Sequence, residues 1–392
     1  MRWNWQHPDW PTFHFRPVLL AEREALFLRQ SGVVVGTVRH VTDEERLSLV
    51  LELISTEAIK TSEIEGELLD RESVQSSLRR QFGLQADGQR AAPAEQGISE
   101  MLADLYRHWN EPLDDAILFQ WHRWLMQGHT DLRTIGGYRR HDEPMQVVSG
   151  RLDRPKVHFE APPSSAVPAE MARFCRWLND TSPKGAAPMS SLARAGLAHL
   201  YFESIHPFED GNGRIGRAIA EKVLAQGAGQ PSLAALSLLI HRRRKEYYAQ
   251  LEAANKTLDV EPWLDWFADL VLAAQQHTLA GLDFVLANTR MWHRLRDQLN
   301  ARQEKALSRL TRAGVDGFVG GLSAGKYSAL TGAPAATARR DLAHLVELGA
   351  LRRTGQLKGT RYWLAHANPG TKETARPART RRDTNSPSSI ER

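Results

Sequence analysis

Two strongly apolar helical stretches, 190–205 and 214–226, are joined by the polar loop His206-Pro207-Phe208-Glu209-Asp210-Gly211-Asn212-Gly213. A loop held between two such helices sits on a rigid frame, and the same helical periodicity recurs along most of the chain, which points to a mostly α fold. The glycines let a ligand approach closely, and a turn entering a helix N-terminus directs several backbone N–H groups outward, an arrangement that takes an anion. Arg214 and Arg217 fall on one face of the first helical turn, where two guanidinium groups can grip adjacent phosphates. Asp210 is a hard oxygen ligand suited to a magnesium ion shared with phosphate. His206, with an ordinary pKa close to neutrality, suits a general base. Base, metal ligand, anion nest and phosphate clamp fall within the twelve residues 206–217. Together they form the inventory for attack on a phosphoryl group.

Elsewhere the spacing predicts a helix opened by a Thr42/Glu45 capping box, carried by Leu47, Leu49, Val50, Leu53, Ile54 and Ile59, and stopped at Gly66. Ahead of it, the first 40 residues read as a short aromatic-rich element. Further helices are predicted over 70–82, 98–108, 114–126, 168–178, 233–255 and 262–300. The runs 145–149 and 156–160, separated by 150–155 and closed by Pro162-Pro163, predict one β-hairpin in an otherwise helical chain. From residue 300 the order becomes helix, short helix, turn, helix, then a basic hairpin, the order of a winged helix. After Ala365 almost no apolar residue remains, which predicts disorder. The expected domains are an N-terminal helical segment (1–97), a catalytic core (98–299), a winged helix (300–364) and a tail (365–392).

Composition narrows the function classes. The 392 residues carry a net charge of +5, unevenly placed. Residues 300–364 hold 11 Lys or Arg against 4 Asp or Glu, and 371–392 hold 6 against 3, so the remainder is net acidic. An electrostatic case for nucleic acid therefore applies to the C-terminal quarter and not to the main body. No uninterrupted apolar run reaches the ~18 residues of a membrane span, and Met1 to Trp10 lacks the pattern of a secretory signal. Cys175 stands alone and can form no internal disulfide, which fits a cytoplasmic location.

The stretch His206 to Arg217 matches without a gap the signature H-P-F-x-[DE]-G-N-G-R-x-x-R and so resembles Fic-domain proteins, over roughly residues 98–270. The resemblance implies a helical core with one β-hairpin flap. It also implies a protein adenylyltransferase, which moves AMP from ATP to a Ser, Thr or Tyr hydroxyl of a target protein, or of itself, with Mg²⁺. His206 would take the hydroxyl proton and Asp210 would hold the metal. Asn212 with the amides of Gly211 and Gly213 would hold the α-phosphate, and Arg214 and Arg217 would bind the β- and γ-phosphates, Gly216 lying between them. Gly213, where the phosphotransferase branch carries lysine, favours adenylyl transfer. Val157, His158, Phe159 and Glu160 resemble the second flap strand, which lines the nucleotide and docks the target by strand addition. Tyr247, Tyr248 and Asn255 resemble the adenine and ribose cradle.

Thr61-Ser62-Glu63-Ile64-Glu65-Gly66 fits the inhibitory pattern [ST]-x-x-x-E-[GN] seen in many Fic proteins, with Glu65 expected to pair with Arg217. The opening Trp3-Asn4-Trp5 is similar to that of bacterial Fic proteins ending in a winged helix. Two alternatives stay open: removal of AMP with Glu65 orienting a water, and a DNA-binding regulator using the core as a nucleotide sensor. Whether the winged helix takes DNA or protein, and whether a homodimer controls the brake, also stay open at this stage.

Overall fold

The computed structural model describes residues 2–39, 42–85, 91–151, 154–231, 234–314 and 317–366. The tail expected to be disordered lies, from 367 on, outside these residues. Among them are fourteen α-helices and two separate two-stranded antiparallel sheets, so the fold is mostly α. The chain divides into two compact units, 1–282 and 283–392.

In the first unit, α1 (Ala21–Arg39) and α2 (Asp43–Ile64) are followed by α3 (Arg71–Gln81), α4 (Pro93–Arg107) and α5 (Asp115–Leu125). Within the first 40 residues, expected to form one short aromatic-rich element, a full helix, α1, follows the Trp-rich segment. The Thr42/Glu45 capping box involves the Glu45 side chain, which lies outside what is described. α3 starts where the Asp70 side chain accepts from the Ser73 N–H at 2.8 Å. The hairpin pairs β1 (Gln146–Arg151) with β2 (Arg154–Glu160), with a register shift between Val147 and Val148.

Then come α6 (Val167–Asp180), α7 (Ser191–Ile205) and α8 (Asn212–Ala228). Nearly every residue of α7 is buried, as a helix apolar all round must be, and α8 packs along it. The single helix expected over 233–255 is two, α9 (Leu236–Arg242) and α10 (Arg244–Ala254), with the break at Arg243. α11 (Glu261–Leu295) is long and apolar enough, by length and composition, to cross a bilayer, although Asp265 and Asp269 interrupt its apolar run. Its Trp263, Leu264, Phe267, Leu270 and Val271 are buried in the core of the first unit.

The division falls within α11 rather than at residue 300. The second unit takes the end of α11, α12 (Ala301–Thr311), α13 (Ala324–Thr331), α14 (Ala335–Glu347) and the hairpin β3 (Leu351–Thr354) and β4 (Arg361–Leu364). Its own core includes Leu307, Leu310, Tyr327, Leu342, Leu345, Leu351 and Leu364. Asp341 is a polar centre within it: it pairs with Arg302 at 2.8 Å and accepts from the Tyr327 hydroxyl at 2.9 Å.

Candidate active site

The site is the hinge between α7 and α8. α7 ends at His206, which adopts a left-handed backbone with φ 50°, an uncommon conformation for a residue with a side chain. Arg139 holds it there. The Arg139 guanidinium is buried and donates to the carbonyls of His206 (2.8 Å), Ile205 (3.3 Å) and Pro162 (2.6 Å) and to the Ser164 hydroxyl (2.8 Å). The Arg139 N–H donates to Pro207 O at 2.9 Å. Burial pushes this guanidinium down to about 10, so it is still a full cation at neutral pH.

Asn212 closes the loop from within. Its Nδ2 donates to Phe208 O at 2.8 Å, and its Oδ1 accepts from the Phe208 N–H at 2.9 Å. Much of its side chain is thus engaged in shaping the loop, the role the geometry assigns it before any contact with phosphate. His122 braces the far side. It stacks on Phe208 at 4.2 Å, takes the Gly136 N–H on Nδ1 (2.9 Å), and presents Nε2 to the Asp210 carbonyl at 3.2 Å. Because Nδ1 accepts, the proton sits on Nε2. Burial, the largest cause, pushes this imidazole down to about 4 and keeps it neutral.

Burial first, and then the Arg139 guanidinium, also push His206 down to about 4, with the Glu203 backbone carbonyl partly opposing them. His206 is therefore unprotonated at neutral pH, the state a base requires. Its Nδ1 faces α7, 3.8 Å from Glu203 Oε2, which leaves Nε2 as the nitrogen to receive a proton. Burial and the nearby Glu65 raise the Glu203 carboxyl to about 8, and its Oε1 has no hydrogen-bond partner.

The two arginines are already engaged. Arg217 is buried; its Nη2 lies 2.8 Å from Glu65 Oε1 and 3.0 Å from Thr61 O, and its Nε donates to the Thr61 hydroxyl at 2.7 Å. Burial alone would lower this guanidinium, yet Glu65 and the other anionic neighbours hold it above its ordinary value. Gly213 makes the approach of Glu65 possible, since a Cβ there would lie 2.2 Å from Glu65 Oε1. Arg214 Nη1 pairs with Glu67 Oε2 at 2.7 Å, and its Nη2 lies 3.8 Å from the half-exposed Asp210 carboxylate. One carboxylate facing outward, completed by nucleotide phosphates, is a donor set that magnesium accepts. Among the described residues no group of three or more His, Cys, Asp or Glu side chains gathers into a metal cluster.

The remaining sequence candidates separate. Tyr247 turns inward: it is buried and its hydroxyl meets His199 Nε2 at 2.7 Å. Tyr248 stays partly exposed under the Arg244 guanidinium, its hydroxyl 3.5 Å from the Ile64 carbonyl at the end of α2. Asn255 belongs to a different network. It is buried, accepts from the Ser204 hydroxyl at 3.2 Å, and takes the Asn4 N–H on its carbonyl at 2.7 Å, which accounts for the residue without a nucleotide. On the flap, His158 bridges Glu252 (2.8 Å) and the Ser149 hydroxyl (2.6 Å). Phe159 is buried edge-to-face on Trp3 at 5.4 Å, and the Glu160 carbonyl accepts from the Trp5 indole at 2.7 Å. The Trp-rich opening therefore anchors the second flap strand. Val148 and Val157, cross-strand partners, are left exposed.

Residues 112–224 match the model of the Fic/DOC family, and residues 3–84 match a Domain of unknown function (DUF4172). The protein adenylyltransferase Fic of Drosophila ananassae is 32% identical over 130 residues, covering 33% of this chain and 24% of that protein. Its Drosophila melanogaster counterpart is likewise 32% identical over 130 residues, covering 33% and 25%. The aligned segment thus spans about a quarter of the length of these relatives. A Fic family protein from Desulfovibrio desulfuricans superposes with a TM-score of 0.51 at 21% identity, covering 90% of this chain and 98% of that one. A Fic domain containing signaling protein from Bacteroides thetaiotaomicron gives 0.50 at 18% identity, covering 65% and 96%. The fold is the mostly α Fic fold, and these findings together support a Fic-domain protein.

Proposed function

We propose that the chain is a protein adenylyltransferase that transfers AMP from ATP to a Ser, Thr or Tyr hydroxyl and is held inactive by Glu65. The observation that carries this reading is Arg217 and Arg214, side by side at the N-terminus of α8, with a base at the other end of the same loop and carboxylates where phosphates would sit. In the proposed reaction the target hydroxyl oxygen attacks the α-phosphorus while its proton passes to His206 Nε2. The bond from the α-phosphorus to the bridging oxygen breaks, and pyrophosphate leaves. The amides of Gly211 and Gly213, at the start of α8, would meet the α-phosphate, and Arg214 and Arg217 the leaving phosphates. Asp210 would hold Mg²⁺, which neutralises charge on the phosphates. The flap, with the Val148 and Val157 side chains exposed, would offer the target backbone a strand to pair with.

Two labels test the reaction class. Incubated with the Glu65→Gly variant, α-labelled ATP should mark protein and γ-labelled ATP should not. Label from the γ-position would replace the proposal with phosphoryl transfer. The reverse activity uses the same residues and would show as loss of AMP from pre-labelled protein, faster in wild type than in Glu65→Gly.

The second unit supports a partner proposal of its own. Its elements follow the winged-helix order, with Arg339 and Arg340 exposed on α14 and Arg353 and Lys358 exposed on the hairpin. Ala335 and Ala336 at the start of α14 would let that helix approach a groove closely. DNA held through these cations should bind the full chain at low salt and dissociate steeply as salt rises. An Arg339→Ala/Arg340→Ala chain that binds duplex as tightly as wild type would remove this reading.

A further inference from the structure

We infer that Glu67 is a second residue governing phosphate binding, setting the affinity of Arg214 for the β-phosphate separately from Glu65. The inference rests on the nucleotide reading given above and adds to it a residue outside the Thr61–Gly66 pattern.

The geometry begins with how α2 ends. The Gly66 N–H donates to Glu63 O at 3.1 Å and the Glu67 N–H donates to Ser62 O at 3.0 Å, with Gly66 at φ 90°. This pair of bonds around a left-handed glycine is the Schellman termination, and it fixes the backbone on both sides of Gly66. Glu65 and Glu67 are therefore presented as two carboxylates on a rigid corner. Arg214 and Arg217, one helical turn apart, present two guanidinium groups to it. Each carboxylate takes one arginine, Glu65 to Arg217 at 2.8 Å and Glu67 to Arg214 at 2.7 Å. Two anions matched to two neighbouring cations reproduce what two successive phosphates would offer.

The two arms differ in strength. Arg217 is tied by Glu65 and twice by Thr61, so its guanidinium is held at three points and a phosphate must displace the Glu65 carboxylate from it. Arg214 is held by one close ion pair, and its buried Nε has no hydrogen-bond partner. A β-phosphate could take the Nη1/Nη2 edge and displace Glu67 from Nη1, forming the two-point contact that guanidinium favours. Glu67 is thus the weaker competitor, and any nucleotide with a β-phosphate meets it, whereas AMP does not. Glu65 opposes the γ-phosphate. Discrimination among AMP, ADP and ATP is divided between two carboxylates two residues apart.

The test is titration calorimetry of AMP, ADP and ATP, with Mg²⁺, against wild type, Glu67→Gln, Glu65→Gly and the double variant. Glutamine keeps the side-chain length, and the Glu67 backbone bond to Ser62 is unaffected. Glu67→Gln should tighten ADP by about five- to tenfold, the size of one partly buried charge pair, and leave AMP within about twofold. The double variant should bind ATP more tightly than Glu65→Gly by a similar factor. Thermal unfolding of Glu67→Gln gives the second readout: a purely structural residue would lower the midpoint and leave all three affinities in proportion. Equal ADP affinity in wild type and Glu67→Gln, with ATP binding intact in Glu65→Gly, would overturn the role of Glu67 alone. Absence of nucleotide binding in every variant would overturn this inference and the adenylyltransferase reading together.

Discussion

Replacing Glu65 with glycine is expected to raise label transfer from α-labelled ATP by one to two orders of magnitude while making the nucleotide-free protein less stable. Both effects come from the same contact. In the proposed reading ATP would have to replace, with its γ-phosphate, a carboxylate already placed on a buried guanidinium, and every 1.4 kcal/mol of that exchange is about tenfold in productive binding. Without Glu65 the Arg217 side chain keeps Thr61 but loses the carboxylate that lies 2.8 Å away. A buried charge stripped of its partner is destabilising by up to about 3–5 kcal/mol. The Thr61 contacts bring the expected loss toward the lower end. ATP should then restore what the variant lacks, so its melting midpoint should rise with ATP more than that of wild type. Thermal unfolding with and without ATP, run beside the label assay, reads both. A lower midpoint with unchanged labelling would leave Glu65 as a structural partner of Arg217 and remove the brake.

The end of α2 was legible because its chemistry is local. A glycine at a helix stop and an acidic residue beside it are neighbours in the chain, and Gly66 does take the left-handed conformation that the stop requires. The loop 206–217 was legible for the same reason, with donor-rich turn, arginines and carboxylate all within three helical turns of one another. What escaped was what depends on distance. Arg139 reaches the carbonyl of His206 across 67 residues, and His122 reaches that of Asp210 across 88. Nothing in either one's neighbourhood marks it, although Gly136-Gly137-Tyr138-Arg139 did read as a turn. Asn255, which a short match sets beside the nucleotide, has distant partners of the same kind, Ser204 and Asn4. The break between α9 and α10 was hidden because it falls in the charged run 241–246, where no glycine or proline signals a change of axis. Glu203 lies within the apolar stretch, where only its surroundings reveal a carboxyl raised to about 8 beside His206.

Removing the base should have the largest effect on turnover. In the Glu65→Gly background, His206→Ala is expected to lower label transfer by about 10²–10⁴-fold, the range for loss of a positioned general base, with ATP binding nearly unchanged because His206 lies at the opposite end of the loop from Arg217. The pH profile separates a base from a loop-shaping histidine. A group whose pKa is lowered is deprotonated, and so able to accept a proton, at every pH above the lowered value. Burial and the Arg139 cation place His206 at about 4, so transfer should hold level from about pH 8 down to near 5 and fall only as pH approaches 4. Loss of Glu65 removes one of the charges that raise His206, so the variant's limb should not move upward. A limb near the ordinary histidine value of about 6.5 would mean that His206 titrates as a solvated side chain, against the burial its position implies. Replacing Arg139 with methionine provides the decisive contrast. Without the cation His206 should rise and the limb shift upward, whereas a profile unchanged in shape and reduced only in height would make Arg139 a brace for the backbone and nothing more.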